Sequence, residues 1–405
     1  MKQGWQIKKL GCLCSFERGL TYSKGDEAAI STKGVLRSNN VDLSSNTLNF
    51  DEIKYLNDDI DIPVSKKVKR NSILMCMSNG SKAHLGKVAI IEDDLDYAFG
   101  GFMGLLVPDE EAVFPRYFYY ALITPMYKSF IKSLSDGANI NNLKFADLKE
   151  FEIPVPSISE QQRIVALLDA EFAKIDALKA NAEKNLQNAK DLFQAALKKE
   201  LEPKEGWKTK PIEEIAEIKG GKRVPKGYKL ITEKTPHPYI RVSDFNDNGS
   251  VDLGDIHYIE DWVYKEIQRY TISFKDVYIS IAGTIGKSGI IPKELEGANL
   301  TENACKLVLN QGLYNRYVYY CTINEPFKSQ IVKLTMQAAQ PKLALTRLAT
   351  ATISIPSLEE QQSIVARLDV LNEKCKTLQA NYEKTLSLCD DLKQALLRKA
   401  FNGEI

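Results

Sequence analysis

The sequence is poor in the residues that metal sites and catalytic centres most often use. It has only three histidines, His84, His237 and His257, and they lie far apart, so a histidine-rich metal site and most histidine-based catalysis are not expected. Its seven cysteines are scattered and form no Cys-x-x-Cys pair, which favours reduced thiols in a cytoplasm over a disulfide framework. No apolar run approaches the roughly 20 residues that span a bilayer, and a signal-peptide pattern is not present at the first residues.

The chain also lacks an excess of charge of either sign. Lys and Arg number 54 and Asp and Glu number 53, which gives a formal net charge of +1. This balance excludes a globally basic nucleic-acid-binding protein, so any basic surface must be local. A chain of 405 residues is too long for one ordinary hydrophobic core and predicts two or three domains.

What the sequence does contain is an internal repeat. Residues 153–169 match residues 353–369 at most positions without a gap, in a register of 200 residues. The register drifts by a few residues towards the N-terminus, where Gly4-Trp5 matches Gly206-Trp207. A period this long excludes a solenoid of short repeats and indicates two copies of one domain, each with an appended segment.

The appended segment of each copy is predicted to be one long helix. Ser157-x-x-Glu160 and Ser357-x-x-Glu360 are capping boxes, and no Gly or Pro follows them until Pro203 and Gly403. Apolar side chains recur at 3-4 spacing along both segments and predict a coiled-coil seam. In the first copy these are Leu168, Phe172, Ile175, Ala182, Leu186, Ala189, Phe193 and Ala196, and in the second Leu368, Leu371, Cys375, Leu378, Tyr382, Cys389, Leu392 and Leu396. The two helices are expected to pair with each other; packing on separate globular cores is the alternative.

The first part of each copy has short β-like runs with turn signals between them. They lie at 72–77, 87–91, 277–281, 288–291 and 305–309, and one helix is expected over 116–133 and another over 316–333. The fold class is therefore α+β, with two tandem α/β domains, each followed by a long helix, and the helices pairing as an antiparallel coiled coil. The predicted segments are 1–155, 156–202, 203–355 and 356–405.

One stretch of the second domain favours anion binding. Residues 219–229 hold five positive charges and three glycines, and such a loop can direct backbone amides and cations at phosphates. A solvated loop is an equally good explanation. We find no Ser/His/Asp constellation and no repeated pair of carboxylates, and Gly283–Ser288 falls short of a P-loop because Ile281 stands where glycine is required. The sequence therefore favours a binding module over an enzyme.

The pattern resembles the specificity (S) subunits of type I restriction–modification systems. The residues that carry the resemblance are Pro-Ser-x-x-Glu-Gln-Gln-x-Ile-Val-x-x-Leu-Asp at 156–169 and 356–369, the preceding segments 137–143 and 339–343, the turn 283–287 and the C-terminal residues 396–405. The resemblance covers essentially the whole chain. The first copy departs from it at 80–86, where the turn is longer, which puts the role of that turn in doubt.

The resemblance implies two target recognition domains, each reading one half of a split DNA sequence, with the helices as spacers. Two methyltransferase (modification) subunits would bring S-adenosylmethionine, and restriction/translocase subunits would bring ATP and Mg, so this chain would bind no cofactor or metal and catalyse nothing. The implied partners are double-stranded DNA and these subunits, without a membrane, in the cytoplasm. The alternatives are a coiled-coil scaffold with two protein-binding heads and a stand-alone methyltransferase; the second lacks the cofactor and catalytic loops.

Candidate contacts follow from cations near glycine turns and from amides that could read adenine edges. The DNA-binding candidates are Lys82, Lys87, Asn139, Asn141, Asn142, Lys219, Lys222, Arg223, Lys226, Lys229, Lys287, Gln337, Gln340 and Lys342. Turn capping explains the amides equally well. The partner-subunit candidates are the near-identical residues at the two helix starts, Glu160, Gln161, Arg163, Ile164, Glu360, Gln361, Ser363 and Ile364. The alternative is that these residues seat each helix on its own domain.

Overall fold

The computed structural model describes residues 4–136, 142–335 and 342–405, and contacts within the chain divide it into two units. Unit 1 consists of Met1–Glu183 together with Glu383–Ile405, and unit 2 consists of Lys184–Tyr382. Each unit therefore contains one of the tandem domains and a part of both long helices. The segment limits taken from the repeat stay a prediction, because they follow sequence order and not packing.

The described residues of unit 1 form three small sheets. Strands β2, β9, β6 and β7 form an antiparallel sheet in that order, β3, β5, β4 and β8 form a second sheet in which β4 and β8 are parallel, and β1 pairs with β10. The strands are β1 (Gln6–Lys9), β2 (Cys14–Arg18), β3 (Glu27–Ala28), β4 (Lys33–Leu36), β5 (Lys54–Leu56), β6 (Ile73–Cys76), β7 (Val88–Ile90), β8 (Tyr97–Phe99), β9 (Met103–Pro108) and β10 (Glu152–Val155). The helices are α1 (Pro115–Ala121), α2 (Pro125–Asp136), α3 (Phe145–Leu148) and α4 (Ile158–Glu200), whose last part belongs to unit 2.

Unit 2 repeats this plan. Strands β12, β18, β15 and β16 form the antiparallel sheet, β14, β13 and β17 form the sheet with one parallel pair, and β11 pairs with β19. The strands are β11 (Lys208–Pro211), β12 (Ala216–Gly220), β13 (Pro238–Ile240), β14 (His257–Tyr258), β15 (Val277–Ser280), β16 (Ser288–Gly289), β17 (Asn299–Leu300), β18 (Ala304–Leu309) and β19 (Thr352–Ile355). The helices are α5 (Ile212–Ile215), α6 (Asp261–Ile267), α7 (Asn315–Ile323), α8 (Glu325–Thr335), α9 (Leu345–Ala349) and α10 (Leu358–Asn402), whose last part belongs to unit 1.

The single helix expected before each long helix is wrong: two short helices stand there in both units. Helix α1 ends at Ala121 and α2 begins at Pro125, while α7 ends at Ile323 and α8 has Pro326 as its second residue. A proline has no N–H for the helical ladder and is tolerated only in the first turn, so it marks a new start. The Thr124 hydroxyl accepts a hydrogen bond from the Tyr127 N–H at 3.2 Å and caps α2.

The long helices α4 and α10, of 43 and 45 residues, are present as expected. In unit 1 Lys179 Nζ lies 2.8 Å from Asp390 Oδ1, and Lys393 pairs with Asp176, so residue numbers rise along one helix as they fall along the other. In unit 2 Arg367 Nη2 lies 2.6 Å from Glu200 Oε2, and Lys204 Nζ, just after α4, lies 3.8 Å from Glu360 Oε1. The helices therefore pair in the antiparallel sense within each unit, as predicted.

The helix seam continues into the core of each domain. The core of unit 1 joins Ile164, Leu168 and Phe172 of α4 to Leu397 and Phe401 of α10. The core of unit 2 joins, in the same way, Phe193, Leu197, Ile364, Leu368 and Cys375 to the sheet and short helices of that unit. The predicted seam is wrong at two positions, because Leu378 and Leu392 are 40% and 48% exposed. Within the described residues no helix is both long enough and apolar enough to cross a membrane.

Candidate nucleic-acid interface

The basic loop of unit 2 begins where β12 ends and is held close to the next strand. A Cβ atom on Gly221 would lie 2.1 Å from the Thr301 carbonyl oxygen, so only glycine fits there. The Lys222 N–H donates to the Leu300 carbonyl at 2.8 Å, and the Lys222 carbonyl accepts from the Tyr239 hydroxyl at 2.8 Å. The loop backbone is thereby fixed on both sides of Lys222.

This loop brings together four of the predicted cations. Lys222, Arg223, Lys226 and Lys229 are all exposed. Arg223 Nε lies 2.5 Å from Glu302 Oε1, so part of the charge of Arg223 is balanced. Lys219, on β12, pairs with Glu217 at 2.7 Å. The loop is therefore a cationic surface on which the charges of Lys219 and Arg223 are partly balanced by carboxylates, and those of Lys222, Lys226 and Lys229 are less so.

A second predicted surface of unit 2 is the turn after β15. The Leu343 N–H donates to the Ile281 carbonyl at 2.9 Å, which places Lys342 beside Ala282 at the start of the turn. Lys287, at the end of the turn, lies 2.8 Å from Asp247 Oδ1, and this hydrogen bond holds the pKa of the Asp247 carboxyl below its usual range. The structure thus brings Lys342 close to the turn and pairs Lys287 with a carboxylate.

The equivalent turn of unit 1 has the same plan with different side chains. The Leu143 N–H donates to the Met77 carbonyl at 2.7 Å, so Asn142 lies beside Ser78. Lys82 is exposed, and its Nζ donates to the Ser135 carbonyl at 3.0 Å. The candidates Asn139, Asn141, Gln337 and Gln340 lie outside the residues that the structure describes.

Lys87 is a correction to the predicted set. Its side chain is buried, its Nζ donates to the Val41 carbonyl at 2.7 Å, and burial lowers its pKa. A lysine held inside the domain in this way cannot reach a phosphate. Lys87 and Lys287 occupy equivalent positions of the repeat, yet one is interior and the other pairs with an acidic surface residue.

The sequence interpretation missed a cleft of about 810 Å³ in unit 1. The cleft lies between the loop after β2, the end of β4, the turn after β6 and the turn before β9, and it holds three cations against one carboxylate. Its side chains include Tyr22, Lys24, Glu27, Arg37, Asn39, Lys54, Asn79 and Phe102. Phe102 is 72% exposed, so it presents an apolar face to any molecule that enters the cleft.

The cleft and the basic loop are repeat-equivalent. Gly19 follows β2 as Gly221 follows β12, and a Cβ atom on Gly19 would lie 1.9 Å from the Gly100 carbonyl oxygen. Lys24-Gly25 then matches Lys226-Gly227 in the sequence. A second match, Arg37-x-x-Asn40 with Arg241-x-x-Asp244, follows β4 and β13. These two short matches are the sequence signals that could have revealed the cleft.

Half of the predicted partner-subunit residues are buried within their own unit. Gln161 accepts from the Phe114 N–H at 2.8 Å and donates to the Pro156 carbonyl at 2.8 Å. Gln361 accepts from the Tyr314 N–H at 2.9 Å and donates to the Pro356 carbonyl at 3.1 Å. Ile164 and Ile364 are fully buried in the two cores. These four residues seat each long helix on its own domain, so they cannot form an outer docking surface.

The other partner candidates lie at the surface. Arg163 pairs with Glu160 at 2.7 Å and donates to the Ile405 carbonyl at 2.8 Å. Glu360 accepts from Trp207 Nε1 at 3.2 Å, while the Ser363 hydroxyl accepts from Arg367 at 2.8 Å. These near-twin positions therefore have different neighbours in the two units, and their role as docking residues stays a prediction.

Comparison with known proteins connects this arrangement to one family. The family model described as "Type I restriction modification DNA specificity domain" matches residues 2–188 and 204–387. The chain is 25% identical to the EcoKI specificity subunit of Escherichia coli (strain K12) over 100% of this chain and 90% of that protein. It is also 25% identical to the StySPI specificity subunit of Salmonella potsdam, with the same coverage.

Solved structures agree on the fold. A chain from a study of complex assembly and conformational transition of the type I R-M system superposes with a TM-score of 0.82 at 19% identity, covering 100% of this chain and 99% of that chain. The HsdS subunit from Thermoanaerobacter tengcongensis gives a TM-score of 0.57 at 18% identity, with 100% and 98% covered. The resemblance read from the sequence is confirmed, and the scaffold alternative is set aside. The chain belongs to the family of type I restriction–modification DNA specificity domains, and it carries one such domain in each copy of its repeat.

Proposed function

We propose that each domain binds double-stranded DNA with the surface formed by the loop after β2 or β12 and the turn after β6 or β15. Each domain would read one half of a bipartite, asymmetric target. The observation that carries this proposal is that both units present a cationic surface at the same point of the repeat. Cations there would contact phosphates, and the polar side chains between them would meet base edges.

The two surfaces differ in the way that an asymmetric target requires. The loop of unit 1 has Leu20 and Thr21 where unit 2 has Lys222 and Arg223. Unit 1 has its cations in an open cleft lined by Lys24, Arg37 and Lys54, whereas unit 2 has its cations exposed on the loop itself. Two domains with the same fold but different side chains at one site would select different half-site sequences.

For the modification subunits we propose docking on the paired helices. Two exposed leucines of α4 have exposed leucines at the repeat-equivalent positions of α10: Leu178 and Leu192 are each 51% exposed, and Leu378 and Leu392 are 40% and 48% exposed. Leu358 and Leu388 of α10 are also exposed, but they have no exposed leucine as a counterpart on α4. Lys179 pairs with Asp390, and Lys393 pairs with Asp176, which places Leu178 and Leu392 at the same level of unit 1. Two equal apolar positions fit two copies of one partner.

Substitution of these leucines tests the docking. We expect L178E/L392E to remove one modification subunit from the complex and L192E/L378E to remove the other, as measured by native mass spectrometry. The matched control is K184E/K384E, which changes exposed, repeat-equivalent residues of the same helices. Full assembly by both leucine double variants, with unchanged affinity, would refute docking at these positions.

Catalysis and cofactors are proposed to reside in the partners. This chain would be a non-catalytic subunit that binds no cofactor or metal. S-adenosylmethionine would belong to the methyltransferase subunits, and ATP and Mg to the restriction/translocase subunits. The complex would act on DNA in the cytoplasm.

The experiment for the whole proposal is co-expression with a modification subunit, followed by single-molecule mapping of N6-methyladenine. We expect a single two-part motif with an unspecified gap, and no methylation by this chain alone. DNA binding by the complex should weaken steeply as salt rises, because phosphate contacts release counterions. A folded complex whose methylation has no sequence preference would refute the proposal.

A further inference from the structure

Two arginines occupy the same position of the repeat but have different surroundings. Arg37 follows β4 and Arg241 follows β13, and each of these strands belongs to the parallel pair of its own unit. In both units the backbone N–H of the arginine donates to the side chain three residues later: that of Arg37 to Asn40 Oδ1 at 2.8 Å, and that of Arg241 to Asp244 Oδ2 at 2.7 Å. The backbone is thus held alike in the two units, and the guanidinium groups can be compared directly.

The guanidinium of Arg241 is fully committed to its own domain. Its Nη2 lies 2.6 Å from Asp244 Oδ1 and 3.0 Å from Asp255 Oδ2, and its Nε lies 3.0 Å from Asp244 Oδ1. Asp244 is buried, so it needs this cation. Arg241 is therefore a structural residue.

Arg37 has no such carboxylate. The residue at the position of Asp244 is Asn40, which is buried and donates its amide to the Asn49 and Glu52 carbonyls. Arg37 Nε is buried and has no hydrogen-bond partner within the part of the chain that the structure describes. The carboxylate of the cleft, Glu27, is taken by Lys54 at 2.7 Å. The pKa of the Glu27 carboxyl is lowered mainly by its hydrogen bond from Lys54 and also by the nearby charge of Arg37. Arg37 forms no ion pair with a carboxylate among the described residues, so its guanidinium can still bind an acceptor that enters the cleft.

The surroundings of Arg37 suit a base edge. It lines the 810 Å³ cleft together with Asn39 and Asn79, and Phe102 stands exposed among the lining residues. A buried donor without a partner is costly, so an acceptor is expected to meet it when the cleft is filled. Guanine presents two acceptors, N7 and O6, in the major groove, at the spacing of an arginine fork. A phosphate is the other acceptor that the same fork could bind.

On the basis of the proposed function, we infer that Arg37 reads a guanine in the half-site bound by unit 1, and that Arg241 has no equivalent reading role. The inference adds a specificity-determining residue to the DNA surface. It also gives the two units different means of selecting bases at the same position of one fold.

The test uses the full chain in complex with its modification subunits, and the variants R37A, R37Q and R37K. Motif mapping should show that R37A and R37Q lose the preference for guanine at one position of one half-site, by about 10- to 100-fold, while the other half-site is unchanged. R37K should lose part of the preference, because lysine keeps the charge but not the planar fork. R70A, which changes an exposed arginine of the same unit beside Asp94, is the control and should keep the motif.

Salt dependence separates a base contact from a phosphate contact. If Arg37 binds a phosphate, R37A should weaken binding equally on all sequences, and the slope of log affinity against log salt should fall by about one. That result, or an unchanged motif in R37A and R37Q, would overturn the inference. A wild-type complex without any two-part motif would instead overturn the proposed function. Melting of each variant guards against unfolding, because R241A should lower the melting temperature and R37Q should not.

Discussion

Lengthening the long helices should lengthen the gap between the two half-sites. Helices α4 and α10 have 43 and 45 residues, about 65 Å at roughly 1.5 Å per residue. Each unit contains a paired part of both helices, so an insertion in α4 alone would put its two parts out of step with α10. The insertion must therefore be made in both helices, after Ala182 and after Tyr382, which are equivalent positions of the repeat.

The size of the effect follows from helix geometry. Seven residues add about 10 Å and leave the apolar stripe only ~20° out of phase, whereas four residues add about 6 Å and rotate it by ~40°. At roughly 3.4 Å per base pair, we expect gaps longer by about three and by one to two base pairs, respectively. The half-site sequences should not change, because each domain keeps its own contacts with its helix parts.

The assay is mapping of N6-methyladenine for complexes carrying the double insertions. A single insertion in α4 is the matched control, and we expect it to reduce stability and methylation, because one pairing must be broken. A stable, active double-insertion complex with the original gap would refute the idea that helix length sets the spacing. Altered half-sites in that complex would refute the independence of the two domains.

Three further predictions follow from individual contacts. Charge reversal of the basic loop, K222E/R223E, should reduce the slope of log affinity against log salt by about two, whereas K208E/K210E on β11 should leave it unchanged. Because Asp169 and Asp369 each accept from an arginine and a tyrosine, D169A and D369A should each cost about 1–2 kcal/mol and lower the melting temperature by a few degrees in calorimetry; a shift in only one would contradict the repeat. Burial raises the pKa of Tyr239 and Tyr319 to about 12 from 10.0. The stability that these neutral, buried hydroxyls contribute is therefore complete below pH 10 and is lost as pH rises towards 12. A free energy of unfolding that stays constant between pH 10 and 12 would contradict their burial.

The repeat and the long helices could be predicted because their signals are local. A capping box followed by more than forty residues without Gly or Pro specifies a helix wherever it lies. Which parts of the helices join which domain could not be predicted, since the 3-4 spacing is the same along the whole stripe. The breaks at Pro125 and Pro326 are marked by proline, but the aromatic run at 116–120 favours one longer helix when the sequence is taken alone.

The candidate site could be predicted where charge is concentrated in sequence, as in the loop 219–229. It could not be predicted where a single residue matters. Lys87 and Lys287 are the same residue type at equivalent positions. Only the fold shows that Lys87 donates to the buried Val41 carbonyl, whereas Lys287 pairs with the Asp247 carboxylate. Arg37 and Arg241 differ in role because of Asn40 and Asp244, and that difference has meaning only once the side chains are seen to meet.

For the buried residues of the two helix starts, the near-identity fits the alternative that the sequence left open, namely that they seat each helix on its own domain. Gln161 and Gln361 make matching hydrogen bonds inside their own units, so internal packing is sufficient to keep them alike. A residue that is alike in both copies of the repeat is evidence for a shared partner only where internal packing does not already require that residue. The exposed leucines of α4 and α10 meet this condition, because their side chains are about half exposed in both copies of the repeat. The evidence in the repeat for two equal partners therefore comes from these leucines and not from the buried residues of the helix starts.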